Sequence, residues 1–210
     1  MLSKKYDVYG IARRKSDMTL GNLESEPELK KQIYIFWGDI TDSLFVQNVV
    51  KQVKPDELYH LASQSFVALS FENPSFTYDV NIKGTLHILN VLKDSSKGTR
   101  MYNAATSELF GKPSTAPQNE KTPFIPKSPY AIAKLAAYWT AVDYREAYDI
   151  FVANGILFNH ESEVRGPEFV TRKITLGVAR IYHGSNEPIT LGNLARKDWD
   201  YAKDYVKACS

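Results

Sequence analysis

Along this chain, short apolar runs alternate with longer stretches in which apolar residues recur every three to four positions. That is the signature of strands alternating with amphipathic helices. The pattern predicts strands over 6–12 and 32–37, the second ending at Gly38-Asp39. A helix over 44–53 is stopped by Pro55, whose ring cannot continue it. A third strand follows over 57–62, then a long helix over 76–93 with Pro74 shortly before its start. A strand over 101–105 delivers Thr106-Ser107-Glu108 at its carboxyl end, and a helix over 129–148 precedes a strand over 151–158 that ends in Asn159-His160-Glu161. The stretch 202–210 reads as a helix cut off early, and 112–127, rich in Pro, Ser and Thr, reads as a surface loop.

Strands alternating with helices imply an α/β fold with a doubly wound parallel sheet. Ligands of such sheets gather at the carboxyl ends of the strands. Arg13-Arg14, Gly38-Asp39, Ala62-Ser63, Thr106-Ser107-Glu108 and Asn159-His160-Glu161 all fall there. A dinucleotide-binding sheet ordinarily opens with a strand and a Gly-rich turn whose amides hold a pyrophosphate. No G-x-G-x-x-G or G-x-x-G-x-x-G occurs, and the first strand here has the character of a second one, so the expectation is a partial domain.

The 210 residues suit one domain with a substantial core. A net charge of +2 argues against a nucleic-acid partner, and no apolar run reaches membrane-spanning length. Cys209 is the only cysteine, which excludes a disulfide framework and a cysteine metal site and fits a reducing cytoplasm. The four histidines are too dispersed for a metal motif, and no signal peptide is expected at Met1 to Lys5.

The sharpest chemical signal is Ser128-Pro129-Tyr130-Ala131-Ile132-Ala133-Lys134. A lysine four residues after a tyrosine lies one helical turn away on the same face. Its ammonium stabilises a phenolate, which makes Tyr130 a usable general base near neutral pH. Thr106-Ser107-Glu108 adds a hydroxyl donor and a second proton carrier. Together they read as a redox-assisted sugar dehydratase. The plainer alternative for Tyr130 and Lys134 is an exposed helical pair, and for Glu108 a first-turn charge stabilised by the helix dipole. Arg13-Arg14 has the alternative of a solvated basic turn, Ser63 and Ser65 of ordinary turn formers, and His160 of a satisfied polar residue beneath the sheet. His60, within an apolar strand, reads as structural.

These residues carry a resemblance. The chain resembles the GDP-mannose 4,6-dehydratase family of the extended short-chain dehydrogenase/reductase superfamily, from about Tyr6 to Val206. The likeness is densest in Leu61-Ala-Ser-Gln-Ser65, Ala105-Thr-Ser-Glu-Leu-Phe-Gly111, Ser128-Pro-Tyr-Ala-Ile-Ala-Lys134 and Asn154-Gly-Ile-Leu-Phe-Asn-His-Glu-Ser162. Phe169-Val-Thr-Arg-Lys-Ile174 and Ala202-Lys-Asp-Tyr-Val206 extend it. It implies a Rossmann-like, partial NADP-binding domain over 1–210, with the nucleotide-sugar lobe beginning at about 160. It also implies conversion of GDP-mannose to GDP-4-keto-6-deoxy-mannose with bound NADP as a hydride relay. Tyr130 would deprotonate the C4 hydroxyl, Thr106 would bond the C4 oxygen, Glu108 would carry the C5 and C6 protons, and Lys134 would hold the ribose.

By the same resemblance, Arg13, Arg14, Asp39, Ile40, Leu61, Ala62, Ser63, His160 and Arg165 contact the cofactor, with Arg13-Arg14 suited to a 2′-phosphate. Ser65, Ser107, Asn159, Glu161, Val170 and Lys173 face the nucleotide sugar, and the chain forms a dimer or tetramer with copies of itself. Departures from the family pattern fall at Phe76 (usually Tyr), at Glu163-Val164-Arg165 (usually Pro-Arg-Arg) and at Asp200-Tyr201. Lys197 stands near an expected diphosphate-binding Arg. Two other readings stand beside this one. One is a related dehydratase or epimerase, of which an epimerase has no need of Glu108. The other is a catalytically silent chain that associates with a full-length partner.

Overall fold

The computed structural model describes residues 6–112, 116–192 and 198–209. The chain divides into two compact units, Met1–Ile156 and Leu157–Ser210.

In the first unit, β1 (Val8–Ala12) pairs in parallel with β2 (Ile33–Trp37). They are joined through a 3₁₀ turn and the single-turn helix α1 (Pro27–Lys30). Helix α2 (Ser43–Val53) begins where the Asp42 carboxylate accepts from the Phe45 amide at 3.0 Å, and it ends at Lys54 in a left-handed conformation. Its buried residues, Val46, Val49 and Val50, repeat at helical spacing and form one apolar stripe. Strand β3 (Glu57–His60) leads to α3 (Val67–Glu72) and α4 (Pro74–Tyr78), whose N-cap is Asn73.

The long helix expected over 76–93 begins at Pro74 and does not run as a single α-helix. A π-helical turn, Asp79–Lys83, separates α4 from α5 (Gly84–Ser95). Strand β4 (Arg100–Ala104) pairs in parallel with β3 and with β5 (Val152–Gly155). Between β4 and β5 lies α6 (Pro129–Tyr148). Ser128 caps it by accepting from the Ala131 amide at 3.1 Å, and Pro129 occupies a first-turn position where no amide donor is needed. The apolar core joins Ile40, Val46 and Val50 to Ile88, Leu89 and Leu92 of α5, Met101 of β4 and Val152 of β5. Phe76 packs at its margin, so the ring at this departure from the family pattern serves packing.

In the second unit, Asn159-His160-Glu161 is not the polar end of the preceding strand. It forms a strand of its own, β6 (Asn159–Glu161), parallel to β7 (Trp199–Tyr201). Helix α7 (Val170–Tyr182) lies between them in the chain, and α8 (Ala202–Cys209) follows β7. Every ladder is parallel, and the strands group as β1-β2, β3-β4-β5 and β6-β7. Among the described residues no helix is long and apolar enough to cross a membrane.

Candidate active site

Tyr130 and Lys134 lie on the buried stripe of α6, in line with Ala137 and Ala141. Only 7% of Tyr130 and 6% of Lys134 is exposed, which excludes the surface-pair alternative. The Lys134 ammonium donates to the Ala104 carbonyl oxygen at 2.9 Å. That fixes the charge at the carboxyl end of β4, two residues before Thr106. Burial lowers the Lys134 pKa from 10.5 to about 8.

Thr106 is the N-cap of a 3₁₀ turn, Ser107–Phe110, and its hydroxyl accepts from the Glu108 amide at 3.3 Å. The turn places Ser107 and Glu108, both half-buried, in its first positions and packs against α6. Gly111 closes it with φ +61°, where a Cβ would lie 1.8 Å from the Ile125 carbonyl oxygen. Only glycine meets both demands.

A buried polar network, which the sequence reading did not assemble, backs this group. The Asn81 side chain in the π-helical turn accepts from the Ser63 hydroxyl at 3.0 Å and from the Gln64 amide at 2.9 Å, and donates to the Gln64 carbonyl at 3.0 Å. The Asn81 carbonyl accepts from the Thr85 hydroxyl, which lies 3.0 Å from Nε2 of His60. Burial above all, with the Lys134 charge beside it, pushes the His60 imidazole down to about 3. The legible signal was Asn81 itself, a polar residue on the interior face of a helix otherwise lined with apolar ones.

The other residues expected at the cofactor fall at strand ends of the first unit. Arg13 and Arg14 are exposed directly after β1. The Asp39 carboxylate accepts from the Thr41 amide at 2.9 Å and from its hydroxyl at 2.8 Å, an Asx turn. Ile40 is buried in the core, and its carbonyl lies 3.0 Å from Nδ1 of His87. Leu61, Ala62 and Ser65 are exposed beyond β3.

The second unit gathers the rest. Asn159 donates to the Asp198 carbonyl at 3.1 Å, and the His160 ring lies 4.9 Å from that of Tyr205. Glu161 accepts from the Thr171 hydroxyl at 2.5 Å and pairs with Arg165 at 3.3 Å. Arg165 also lies over the Phe169 ring. Val170 and Lys173 are exposed on the first turn of α7. A cleft of about 560 Å³ is lined by Glu161, Glu163, Thr171, Arg172, Trp199 and Asp200, among others. The Tyr201 hydroxyl donates to Glu163 at 3.2 Å, so two departures from the family pattern touch each other. Lys197 lies outside the described residues. Among the described residues no cluster of three or more His, Cys, Asp or Glu side chains has the makings of a metal site.

The family model for GDP-mannose 4,6 dehydratase matches residues 1–210. The chain is 47% identical to the human GDP-mannose 4,6 dehydratase over 216 residues, covering 99% of itself and 58% of that protein. It is also 47% identical to the Vibrio cholerae enzyme, again over 99% of itself and 58% of the relative. The chain thus spans about 58% of the length of these curated relatives. Among solved structures, the dTDP-glucose 4,6-dehydratase of Streptomyces venezuelae, determined with NAD bound, matches with a TM-score of 0.81. It is 22% identical, with 98% of this chain and 62% of that one covered. The UDP-glucose 4-epimerase of Thermotoga maritima matches with a TM-score of 0.83 at 21% identity, over 98% and 65% of the two chains. At that identity the structures establish a shared Rossmann-like fold.

Proposed function

The chain belongs to the GDP-mannose 4,6-dehydratase family, and on that premise we propose that its residues carry the conversion of GDP-mannose to GDP-4-keto-6-deoxy-mannose and water. The observation behind the reading is the burial of Tyr130 and Lys134 on one face of α6, with Lys134 anchored to the Ala104 carbonyl beside Thr106. Tyr130 takes the proton of the C4 hydroxyl, and the Thr106 hydroxyl bonds the C4 oxygen. Once C4 is a ketone, the C5 hydrogen is acidic. Glu108 removes it and delivers a proton to the departing C6 hydroxyl, which leaves as water. Ser107 faces the substrate from the same turn, as does Ser65.

NADP is the cofactor in this reading; bound, it accepts hydride from C4 and returns it at C6. The exposed guanidiniums of Arg13 and Arg14 suit a 2′-phosphate. The Lys134 ammonium gives one of its three N–H donors to Ala104 and has the chemistry to hold ribose hydroxyls. Asp39, Ile40, Leu61, Ala62, Ser63, His160 and Arg165 are the further assigned contacts. The nucleotide sugar is assigned to Asn159, Glu161, Val170 and Lys173, with its lobe beginning at about 160. The division of the chain after Ile156 supports that boundary. The reading extends to a self-associating protein of the cytoplasm.

The test replaces the aligned residues of a full-length relative with this chain and follows loss of one water from GDP-mannose by mass spectrometry. Dehydrated product from the chimera, abolished by Tyr130→Phe, is expected. A folded chimera that binds GDP-mannose and yields no product overturns the proposal.

A further inference from the structure

We propose that the space between β1 and β3 is an acceptor site for one further parallel strand, and that the helix following that strand covers the exposed face of β1 and β2. The occupant is a βα segment that is not among these 210 residues. The inference rests on backbone pairing and surface, and holds whatever reaction the chain takes part in.

Backbone pairing supplies the first argument. In the first unit the strands form two separate parallel ladders, β1-β2 and β3-β4-β5, although α2 and α5 pack both into one apolar core. A doubly wound sheet runs in the order 3-2-1-4-5-6. Here β2 and β1 fill places 3 and 2, while β3, β4 and β5 fill 4, 5 and 6. Place 1 lies between β1 and β3. Among the described residues neither strand has a second hydrogen-bonded neighbour, so each leaves a row of backbone donors and acceptors facing that position.

Surface chemistry supplies the second. Parallel sheets are covered on both faces, yet Tyr9 is 44%, Ile11 39% and Tyr34 59% exposed. The Tyr9 and Tyr34 rings stack 5.0 Å apart across the β1-β2 ladder. Chain handedness links this face to the same occupant. The crossover from β2 through α2 to β3 runs one way along the sheet, and a crossover from place 1 to β1 runs the other. Right-handed connections therefore put its helix on the face opposite α2.

The chemistry of the occupant follows. A strand flanked on both edges and covered on both faces must be a continuous apolar run, and β1 and β3 set its length at four to five residues. The helix after it presents apolar side chains to Tyr9, Ile11 and Tyr34. The turn between them reaches the end of the sheet where Arg13 and Arg14 stand.

A synthetic βα peptide, with a five-residue Val/Ile strand, a glycine-rich turn and an amphipathic helix, tests this. It is used both free and joined to Met1 by a flexible Gly/Ser linker, which raises its effective concentration. Amide hydrogen exchange is read at 8–12, 57–60 and 152–155. Slowing of at least about tenfold in both β1 and β3, with the outer edge β5 unchanged, is expected. A proline at the centre of the peptide strand should abolish it. Protection of only one strand, protection of β5 instead, or no protection in the joined protein overturns the proposal. So does equal protection of β1 and β3 without peptide in a self-associated form, which would assign the site to a second copy.

Discussion

The Lys134 ammonium and the Ala104 carbonyl oxygen lie 2.9 Å apart in the buried interior, tying α6 to the end of β4. A positive charge held there leaves no room for another, and His60 nearby is kept neutral, its pKa pushed down to about 3 by burial and by Lys134. Both groups titrate at lower pH folded than unfolded, so both add stability that is lost as pH falls. For His60 the window runs from about 6.5 down to about 3, and for Lys134 from about 10.5 down to about 8. Thermal unfolding should show stability falling below pH 6.5, by on the order of 5 kcal/mol at the acid end. A second, shallower rise is expected between pH 8 and 10.5. His60→Gln should flatten the acid limb; an unchanged limb would refute its assignment to His60.

Splitting the two proton carriers is a separate test. In the active chimera, Tyr130→Phe keeps the ring and removes the base, and turnover should fall about 10²–10⁴-fold. Glu108→Gln should block elimination while leaving oxidation at C4 possible, giving transient NADPH absorbance without dehydrated product. Equal loss of both signals in the Glu108 variant would rule out the division of roles.

What was legible in the sequence follows physical lines. Helix α6 could be read from end to end because Ser128 and Pro129 mark its start and the apolar stripe persists to its last turn. The shared face of Tyr130 and Lys134 was legible from their spacing, but their burial depends on β4 and could not be. The π-helical turn around Asn81 has no local code, since it is held by the loop bearing Ser63 and Gln64. Strand β6 is only three residues long and exists through pairing with β7, far along the chain. Helix α7 carried a readable period in Ile174, Val178 and Ile181, yet its residues were taken singly, as contacts, with no helix assigned.

Preference for NADP over NAD rests on Arg13 and Arg14. Each charge-assisted contact to a 2′-phosphate is worth about 1.5–3 kcal/mol. Replacing both by alanine in the chimera should therefore erase the preference and leave the NAD dissociation constant nearly unchanged. Equal affinity for the two cofactors before mutation would remove the basis for this assignment.

Self-association is expected through α6, where Ile132 and Trp139, seven residues apart on one face, are 46% and 55% exposed. Trp139→Asp should shift the sedimentation coefficient toward that of a single chain without altering the circular dichroism spectrum. A protein already monomeric at micromolar concentration would exclude the idea.

The cleft of the second unit poses the sharpest question of specificity. Glu161, Glu163 and Asp200 place three carboxylates around it, with Arg172 among its lining cations. A hydrogen bond from Tyr201 helps to hold Glu163 ionised, below its usual carboxylate range. A diphosphate approaching this cleft meets like charge, and that repulsion is screened by salt. The KM of the chimera for GDP-mannose should therefore fall as ionic strength rises. Glu163→Gln with Asp200→Asn should lower the KM at low salt and flatten its salt dependence, leaving kcat within about twofold because neither side chain takes part in the proton transfers. Tyr201→Phe alone should move the Glu163 pKa upward, as read from carboxyl chemical shifts, with little change in KM. A KM that rises in the double variant would mean that these carboxylates hold the sugar hydroxyls rather than repel the diphosphate.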